Sequence, residues 1–289
     1  MSTQTVYQSA PMPAQITAQH QADFERDGFI AFTDVLSAAE VEAAKSVMSE
    51  ALQNLRAHRK EGGNDYGNTW SAPEGGLSVQ FERTGAPIDA NDPDLELKVR
   101  KFHNVIEAAP AIANMATGHS NVGAIIDALL GREALLTQDM ALVKPPGGVA
   151  KPWHQDDAYF KIAPLNAVCG VWIALDEASA DNGCMHVWPG GHHVGALRHY
   201  HADDCEIVPD RLTNEQTVAV PLPPGGAIFF SGLLPHQTPI NNSNMRRRAL
   251  QFHYRSLDSR VISDEEYNAL FVERDGTPAS CAAATTRGF

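Results

Sequence analysis

The sequence is poor in the features that mark several protein classes. Its four cysteines are widely spaced and form no Cys-x-x-Cys pair: Cys169, Cys184, Cys205 and Cys281. Such spacing fits neither a zinc site nor a disulfide framework, so we expect free thiols. Basic residues are also scarce, with 22 Lys and Arg against 35 Asp and Glu and a formal net charge of −13. A phosphate-binding surface needs clustered Lys and Arg, so the composition argues against a nucleic-acid partner.

Long apolar runs and targeting signals are missing too. The least charged stretch, residues 108–126, contains Asn, Thr, His and Ser side chains and is too polar to span a membrane. No basic residue precedes Arg26, so the N-terminus lacks the basic region of a signal peptide. The sequence therefore predicts a cytoplasmic protein without a membrane partner. No long apolar heptad repeat indicates a partner chain, so the oligomeric state stays open.

Helical patterning dominates the N-terminal half. Ser37 and Glu40 form a capping box, and apolar residues recur at helical spacing from Val41 to Leu52, which predicts a helix to about Arg56. We predict further helices over residues 21–27 and 98–130. Residues 57–97 are rich in Gly, Asn, Asp and Pro and are predicted as a long irregular region, of the kind that often covers a functional site.

From Ala134 onwards the pattern changes to short β-like runs separated by clusters of Gly, Pro, Asn and Asp. The predicted strands are Leu135–Val143, His154–Phe160, Val168–Leu175, Cys184–Val187, Gln216–Val220, Ala227–Phe230 and Ala249–Tyr254. Many short strands favour a sandwich, barrel or jelly roll. No linker or repeat divides the chain, so we expect one domain over residues 1–289, with a flexible tail at 1–19 and a poorly ordered tail at 276–289.

One pattern suggests metal chemistry. Along a strand, residues i and i+2 face the same way, so His154 and Asp156 can present a nitrogen and an oxygen to one point. His236, 82 residues later, is the best third ligand. Two histidines and one carboxylate leave positions open on Fe(II), as in non-haem iron oxygenases. A surface histidine beside an acidic turn is the alternative for His154.

An arginine follows at a suggestive distance. Arg247 lies 11 residues beyond His236, at the start of the next predicted strand. A guanidinium group there can hold a carboxylate through two hydrogen bonds, which suits a dicarboxylate co-substrate. Arg246 and Arg248 are alternatives, because the register of the strand is open.

These residues occur within a series of blocks that resembles the phytanoyl-CoA dioxygenase family of Fe(II)/2-oxoglutarate oxygenases. The blocks cover most of the chain: Phe24–Phe32, Leu142–Gly147, Trp153–Asp156, Val171–Leu175, Asp181–Cys184, Pro189–His192, and the group His236, Asn241, Ser243 and Arg247. There are two departures. Gly191 replaces the more usual Ser before His192, and residues 57–97, a region that often helps to cover the substrate in this family, match nothing recognisable.

The resemblance implies a role for each matching residue. His154, Asp156 and His236 would bind iron, and Arg247 would pair with the distal carboxylate of 2-oxoglutarate. Thr238 would touch the same carboxylate. Three further residues match positions around the co-substrate: Lys101, Met140 and Trp172. A solvated helix charge is the alternative for Lys101, and core packing is the alternative for Met140 and Trp172.

The resemblance also implies a fold and an activity. The fold would be a double-stranded β-helix, a cupin-like jelly roll, with helices against its larger sheet and iron at its mouth. The activity would be that of a non-haem Fe(II)/2-oxoglutarate-dependent dioxygenase, which uses O2 to hydroxylate or otherwise oxidise a C–H bond and releases succinate and CO2. The substrate would be a small metabolite or natural product. Desaturation, ring closure or epimerisation by the same chemistry, a cupin-like protein without 2-oxoglutarate, and a non-catalytic sensor are the alternatives.

Two weaker expectations concern the surroundings of the site. A group of histidines is expected to form a loop over the mouth: His186, His192, His193, His199 and His201. The acidic composition argues against a CoA thioester and is compatible with a cationic substrate, since a negatively charged protein attracts cations.

Overall fold

The computed structural model describes residues 5–64, 67–82, 87–118, 120–201, 204–212 and 216–272. Its strands are β1 Thr5–Val6, β2 Phe29–Phe32, β3 Lys60–Asn64, β4 Gly67–Ser71, β5 Ser78–Phe81, β6 Val99–His103, β7 Ala134–Lys144, β8 Lys151–His154, β9 Ile162–Ala163, β10 Val168–Ala174, β11 Met185–Val187, β12 His199–His201, β13 Cys205–Ile207, β14 Val218–Val220, β15 Ala227–Ser231, β16 His236–Thr238, β17 Arg247–Ser256 and β18 Arg260–Val261. Its α-helices are α1 Ala18–Asp27, α2 Ala38–Ala57, α3 Val105–Ala108, α4 Pro110–Ala113, α5 Ser120–Leu130 and α6 Asp264–Phe271.

Two sheets face each other. Within the described residues, the smaller sheet has the order β1-β14-β11-β16-β8, and the larger has the order β2-β15-β10-β17-β7-β6-β5-β4-β3. Apolar side chains from both sheets form a core between them, with Trp172, Ile228 and Phe230 from the larger sheet and Met185, Val187 and Val220 from the smaller one. This arrangement confirms the prediction of a mainly β jelly roll with flanking helices.

Helix α2 contributes to a second apolar core, on the face of the larger sheet that points away from the smaller sheet. Its N-terminus has the predicted capping box, in which Ser37 accepts from the Glu40 amide and the Glu40 carboxylate accepts from the Ser37 amide. Its buried side chains share a core with Val171 and Phe252 of the larger sheet: Val41, Ala44, Met48, Ala51, Leu52 and Leu55. Burying a side chain of leucine size contributes about 2 kcal/mol. The helices therefore stabilise one face of the sheet and leave the other face for a site.

Three predictions of local structure are wrong. Residues 57–97 are not wholly irregular, because β3, β4 and β5 extend the larger sheet. Residues 98–130 begin with strand β6 rather than a helix. The strand predicted over His154–Phe160 ends at His154, and a 3₁₀ turn follows over Asp156–Tyr159. In the first two cases pairing with neighbouring strands overrides the local pattern.

The N-terminal segment, which was predicted to be a flexible tail over residues 1–19, makes backbone contacts with both sheets. Thr5 and Val6 pair with β14 in parallel, and Ala10 forms a bridge to Phe32. The tail expected over residues 276–289 lies outside the described residues, and the single domain stays a prediction. Cys169 and Cys184 are free and buried, whereas Cys205 is disulfide-bonded, so the expectation of free thiols is wrong for Cys205.

No helix in the described part of the chain is both long enough and apolar enough to cross a membrane.

Candidate active site

Two histidines and an aspartate converge at one end of the smaller sheet. His154, the last residue of β8, lies directly opposite His236, the first residue of β16. Asp156 opens the 3₁₀ turn that follows β8. Its Oδ1 atom lies 3.3 Å from His154 Nε2 and 3.7 Å from His236 Nε2, and all three residues are buried. The three residues selected from the sequence therefore lie together, although a turn rather than a continuous strand brings Asp156 towards the histidines.

The two histidine rings are oriented by their own backbone. His154 Nδ1 donates to the Pro152 carbonyl at 2.8 Å, and His236 Nδ1 donates to the Leu234 carbonyl at 2.9 Å. With the proton on Nδ1, each Nε2 keeps its lone pair for the cluster. Burial and the neighbouring His154 lower the pKa of His236 to about 3, so this ring is neutral at physiological pH. Two imidazole nitrogens and a carboxylate form a donor set that fits a divalent transition metal.

A third histidine holds the aspartate. His253 Nε2 donates to Asp156 Oδ2 at 2.6 Å, and Gln251 Nε2 lies 3.4 Å from the same oxygen. Burial raises the pKa of Asp156, but its interactions with His253 and the other surrounding histidines outweigh burial and hold the pKa well below its usual value. Neither His253 nor Gln251 is among the site residues predicted from the sequence. Strand alternation could have found them, because Arg247, Gln251 and His253 share one face of β17.

Within the part of the chain that the structure describes, Arg247 is a buried cation without an ion-pair partner. It is 2% exposed, its Nη1 donates to the Gly183 carbonyl at 2.5 Å, and its guanidinium carbon lies 4.9 Å from the ring centre of Trp172. Among the described residues, no carboxylate forms an ion pair with Arg247, and neither its Nε nor Trp172 Nε1 has a hydrogen-bond partner. Burial lowers the pKa of Arg247 to about 10, so the group is still charged at neutral pH. An anionic ligand fits this environment.

The alternatives to Arg247 are engaged elsewhere. Arg246 pairs with Glu96 at 2.5 Å, and Arg248 pairs with Asp176 through two nitrogen atoms at 2.8 Å. Only Arg247 of the three lines the cavity next to the histidines, as far as the described residues show.

Thr238 lines the same cavity as Arg247 and is held there by a lysine that was not assigned from the sequence. Lys144, which pairs with Arg247 across β7 and β17, donates through Nζ to Thr238 Oγ1 at 3.0 Å. It also donates to the carbonyls of Thr238 at 3.0 Å and Pro239 at 2.6 Å. Because the hydroxyl oxygen of Thr238 accepts from Lys144, its hydrogen remains available to donate to a ligand.

These groups open into one cavity of about 610 Å³. Met140 and Trp172 line it, each opposite Gln251 in the sheet register. Lys101 also lines it, so the alternative of a solvated helix charge is wrong, and burial lowers the pKa of this lysine to about 8. Strands β4 and β5 add polar side chains from the region that the sequence left unassigned: Thr69, Ser71, Ser78 and Gln80.

The described side chains of the predicted histidine group do not lie over the mouth of the cavity. Among the described side chains, His186, His192, His193 and His199 are absent from the cavity wall, and the side chain of His201 lies outside the description. His199 is instead a structural support. Its Nε2 accepts the backbone N–H of Gln155 at 3.0 Å, between the two candidate ligands of β8 and its turn.

Fold and site together define a class of protein: a jelly-roll enzyme of the non-haem Fe(II)/2-oxoglutarate-dependent oxygenases, which use O2. Residues 24–249 match the family model of phytanoyl-CoA dioxygenase (PhyH), and the chain belongs to that family.

Three known proteins illustrate the relationship. A phytanoyl-CoA dioxygenase domain-containing protein 1 homolog from Caenorhabditis briggsae is 28% identical over 254 residues, which cover 80% of this chain and 88% of that protein. A methylphosphonate hydroxylase from Gimesia maris is 33% identical over 140 residues, or 48% of this chain and 52% of that protein. The solved structure of EvdO2 from Micromonospora carbonacea var. aurantiaca, complexed with 2-oxoglutarate, has a TM-score of 0.63 and 22% identity over 88% of this chain and 96% of that chain.

Proposed function

We propose that this enzyme oxidises a C–H bond of a small metabolite or natural product, with hydroxylation as the outcome and succinate and CO2 as co-products. In this proposal His154, Asp156 and His236 hold Fe(II), and Arg247 holds the distal carboxylate of 2-oxoglutarate. The observation that carries the proposal is that the histidine–aspartate cluster and a buried arginine without an ion pair among the described residues line the same cavity.

Each part of the site has a distinct task. When bound, the iron supplies activation of O2 and oxidation of the substrate. His154 and His236 offer their Nε2 atoms as donors, and His253 keeps Asp156 Oδ1 turned towards them. Arg247 and Thr238 orient the co-substrate from its far end. Lys101, Met140 and Trp172 form the wall against which the co-substrate rests.

The cavity supports a small-molecule substrate. Its volume of about 610 Å³ lies within the range of about 300–1,000 Å³ typical of ligand sites. The similarity to a methylphosphonate hydroxylase over about half of the chain supports hydroxylation. A cupin-like protein without 2-oxoglutarate would have no evident use for Arg247, whose buried charge needs an anion.

Succinate release tests the proposal. The purified enzyme with Fe(II), 2-oxoglutarate and O2 should release succinate, and release should increase when a substrate is present. Asp156→Ala should abolish release, since it removes one of the three ligands. Asp210→Ala, which removes an exposed carboxylate away from the cavity, is the matched control and should retain activity. Release by Asp156→Ala at the unmodified rate would contradict the proposal.

A further inference from the structure

The cavity contains a second group of cations besides Arg247. Arg100 and Lys101 on β6 and Lys151 on β8 all line it, together with the carboxylates of Asp204 and Glu82. We name Arg100 and Lys151, which share the Asp204 carboxylate, the cationic cluster; Lys101, assigned above to the co-substrate wall, adds a third positive charge to the same cavity. With both carboxylates charged, this part of the wall still carries a net positive charge. That local charge is opposite to the net charge of −13 of the whole protein.

A β-bulge brings two neighbouring side chains to the same wall. Gln80 of β5 pairs with Lys101, but the next residue, Phe81, pairs with Val99. Arg100 is therefore the extra residue of β6, and a bulge of this kind redirects side chains away from strict alternation. Arg100 and Lys101 consequently both line the cavity, while Val99 is buried in the core on the helix side of the sheet.

The carboxylate of Asp204 forms hydrogen bonds with both Arg100 and Lys151. Asp204 Oδ2 accepts from Arg100 Nη2 at 2.8 Å, and Oδ1 accepts from Lys151 Nζ at 2.6 Å. The side chains of Arg100, Lys151 and Asp204 are only 16%, 24% and 11% exposed. Burial raises the pKa of Asp204, but Lys151 and Arg100 outweigh burial and lower it below its usual value. Two cations thus share one carboxylate in a place that is largely withdrawn from water.

The cluster lies close to the candidate iron ligands. Lys151 Nζ contacts the Tyr159 hydroxyl and lies 4.9 Å from the centre of that ring. The Tyr159 ring packs edge-on against His154, with 5.9 Å between ring centres. A molecule held by the cluster would therefore place its neighbouring carbon atoms near the metal. Arg247 is a separate cation site, reached from β17 and in contact with Gly183 and Trp172.

We propose that the cationic cluster binds an oxyanion of the substrate, a carboxylate or a phosphonate or phosphate group, so that the substrate is a small organic anion. This inference rests on the proposed function, because it names the substrate class of the same site. A cationic substrate is compatible with the net charge of the whole protein, but the local charge of this part of the cavity favours an anion. Guanidinium and ammonium groups form their strongest hydrogen bonds with such oxyanions.

Calorimetric titration under anaerobic conditions tests the inference. The enzyme is first saturated with Fe(II) and 2-oxoglutarate, which occupies Arg247, and is then titrated with methylphosphonate, propionate or choline. We expect at least one of the two anions to bind and choline not to bind. The stronger anion distinguishes a tetrahedral oxyanion from a planar one. Binding of choline alone, or of none of the three, would overturn the inference.

Variants of the cluster should change the affinity for anions in opposite directions. Arg100→Met and Lys151→Met should each weaken anion binding about tenfold, or about 1.4 kcal/mol. Asp204→Asn should strengthen anion binding severalfold, because it removes the carboxylate that competes for both cations while preserving the shape of the side chain. Arg132→Met removes an exposed cation that pairs with Asp258, and it should change nothing. If Asp204→Asn weakens binding as the cation variants do, the cluster is structural and the inference is wrong.

The visible spectrum separates this inference from the proposed function. The charge-transfer band of the Fe(II)–2-oxoglutarate complex should form in Arg100→Met, Lys151→Met and Asp204→Asn as in the unmodified enzyme. If the band never forms in the unmodified enzyme, the proposed function fails. If the band forms and neither anion binds, only the substrate class fails.

Discussion

His253 Nε2 lies 2.6 Å from Asp156 Oδ2, while His154 Nε2 lies 3.3 Å from the other oxygen of the same carboxylate. The aspartate is thus held from behind by one histidine, and its free oxygen faces the two candidate metal ligands. Hydrogen bonds of this kind fix the orientation of a metal ligand before the metal arrives.

Loss of this support should weaken metal binding. His253→Ala frees the Asp156 carboxylate to rotate, and we expect a loss of about 10- to 100-fold in Fe(II) affinity, measured by anaerobic metal titration. His193→Ala, at an exposed histidine outside the cavity wall, is the control and should bind Fe(II) normally. Unchanged affinity in His253→Ala would show that Asp156 is held by other contacts.

The stabilisation of the protein by bound 2-oxoglutarate should require Arg247. Saturation with 2-oxoglutarate at about 100 times its dissociation constant should stabilise the enzyme by about 3 kcal/mol, visible as a higher melting temperature. Arg247→Met should abolish that increase, because the anion loses its buried partner. Arg246→Met removes a cation that pairs with Glu96 outside the cavity and should retain the increase. If Arg246→Met abolished the increase and Arg247→Met retained it, the assignment of the co-substrate to Arg247 would be wrong.

The hydroxyl of Thr238 should contribute to the same binding. Thr238→Ala removes a donor that Lys144 holds in place, at a cost of about 1 kcal/mol, or about a fivefold increase in the KM for 2-oxoglutarate. Thr238→Ser keeps the hydroxyl and should restore most of the affinity. A KM in Thr238→Ala equal to that of the unmodified enzyme would exclude contact between the hydroxyl and the co-substrate.

Protein stability should fall in mild acid partly through His199. Burial lowers the pKa of His199 from 6.5 to about 3 in the folded state. Between these values the unfolded chain binds more protons, so stability decreases as the pH falls below 6.5, by about 1 kcal/mol per pH unit. His236 acts in the same direction, whereas burial raises the pKa of Asp157 to about 7 and opposes both.

A variant isolates the contribution of His199. Urea unfolding of the metal-free protein between pH 7 and pH 5 should show a shallower decrease in His199→Asn than the unmodified protein shows. The comparison cancels the effects of His236 and Asp157, which both proteins share. Parallel pH profiles would mean that His199 does not bind additional protons on unfolding.

The features of the fold and the candidate site that could be predicted from the sequence depend on short-range patterns. The helix that begins after Ser37 was evident because a capping box and helical spacing coincide within one segment. His154 and Asp156 were evident because only one residue separates them, so few local conformations keep them apart. His236 and Arg247 were chosen from their positions next to predicted strands, and the family resemblance then implied a role for each.

The errors come from pairing that no local segment encodes. Val99 and Phe102 have helical spacing and were assigned to a helix, yet both are buried in a strand because the bulge at Arg100 shifts the alternation by one residue. The hairpin of β3 and β4 is rich in Gly and Asn, which are depleted in strands, and it forms by pairing at the edge of the larger sheet. The cationic cluster was missed for the same reason, since Lys151 and Asp204 meet only in three dimensions.

The most direct test of the central assignment is the visible spectrum of the anaerobic protein with Fe(II) and 2-oxoglutarate. The account predicts a weak metal-to-ligand charge-transfer band that requires both additions and is lost in Asp156→Ala and in Arg247→Met. If iron is bound and no band forms, the His154–Asp156–His236 cluster does not bring 2-oxoglutarate to the metal, and a cupin-like metal protein becomes the better description.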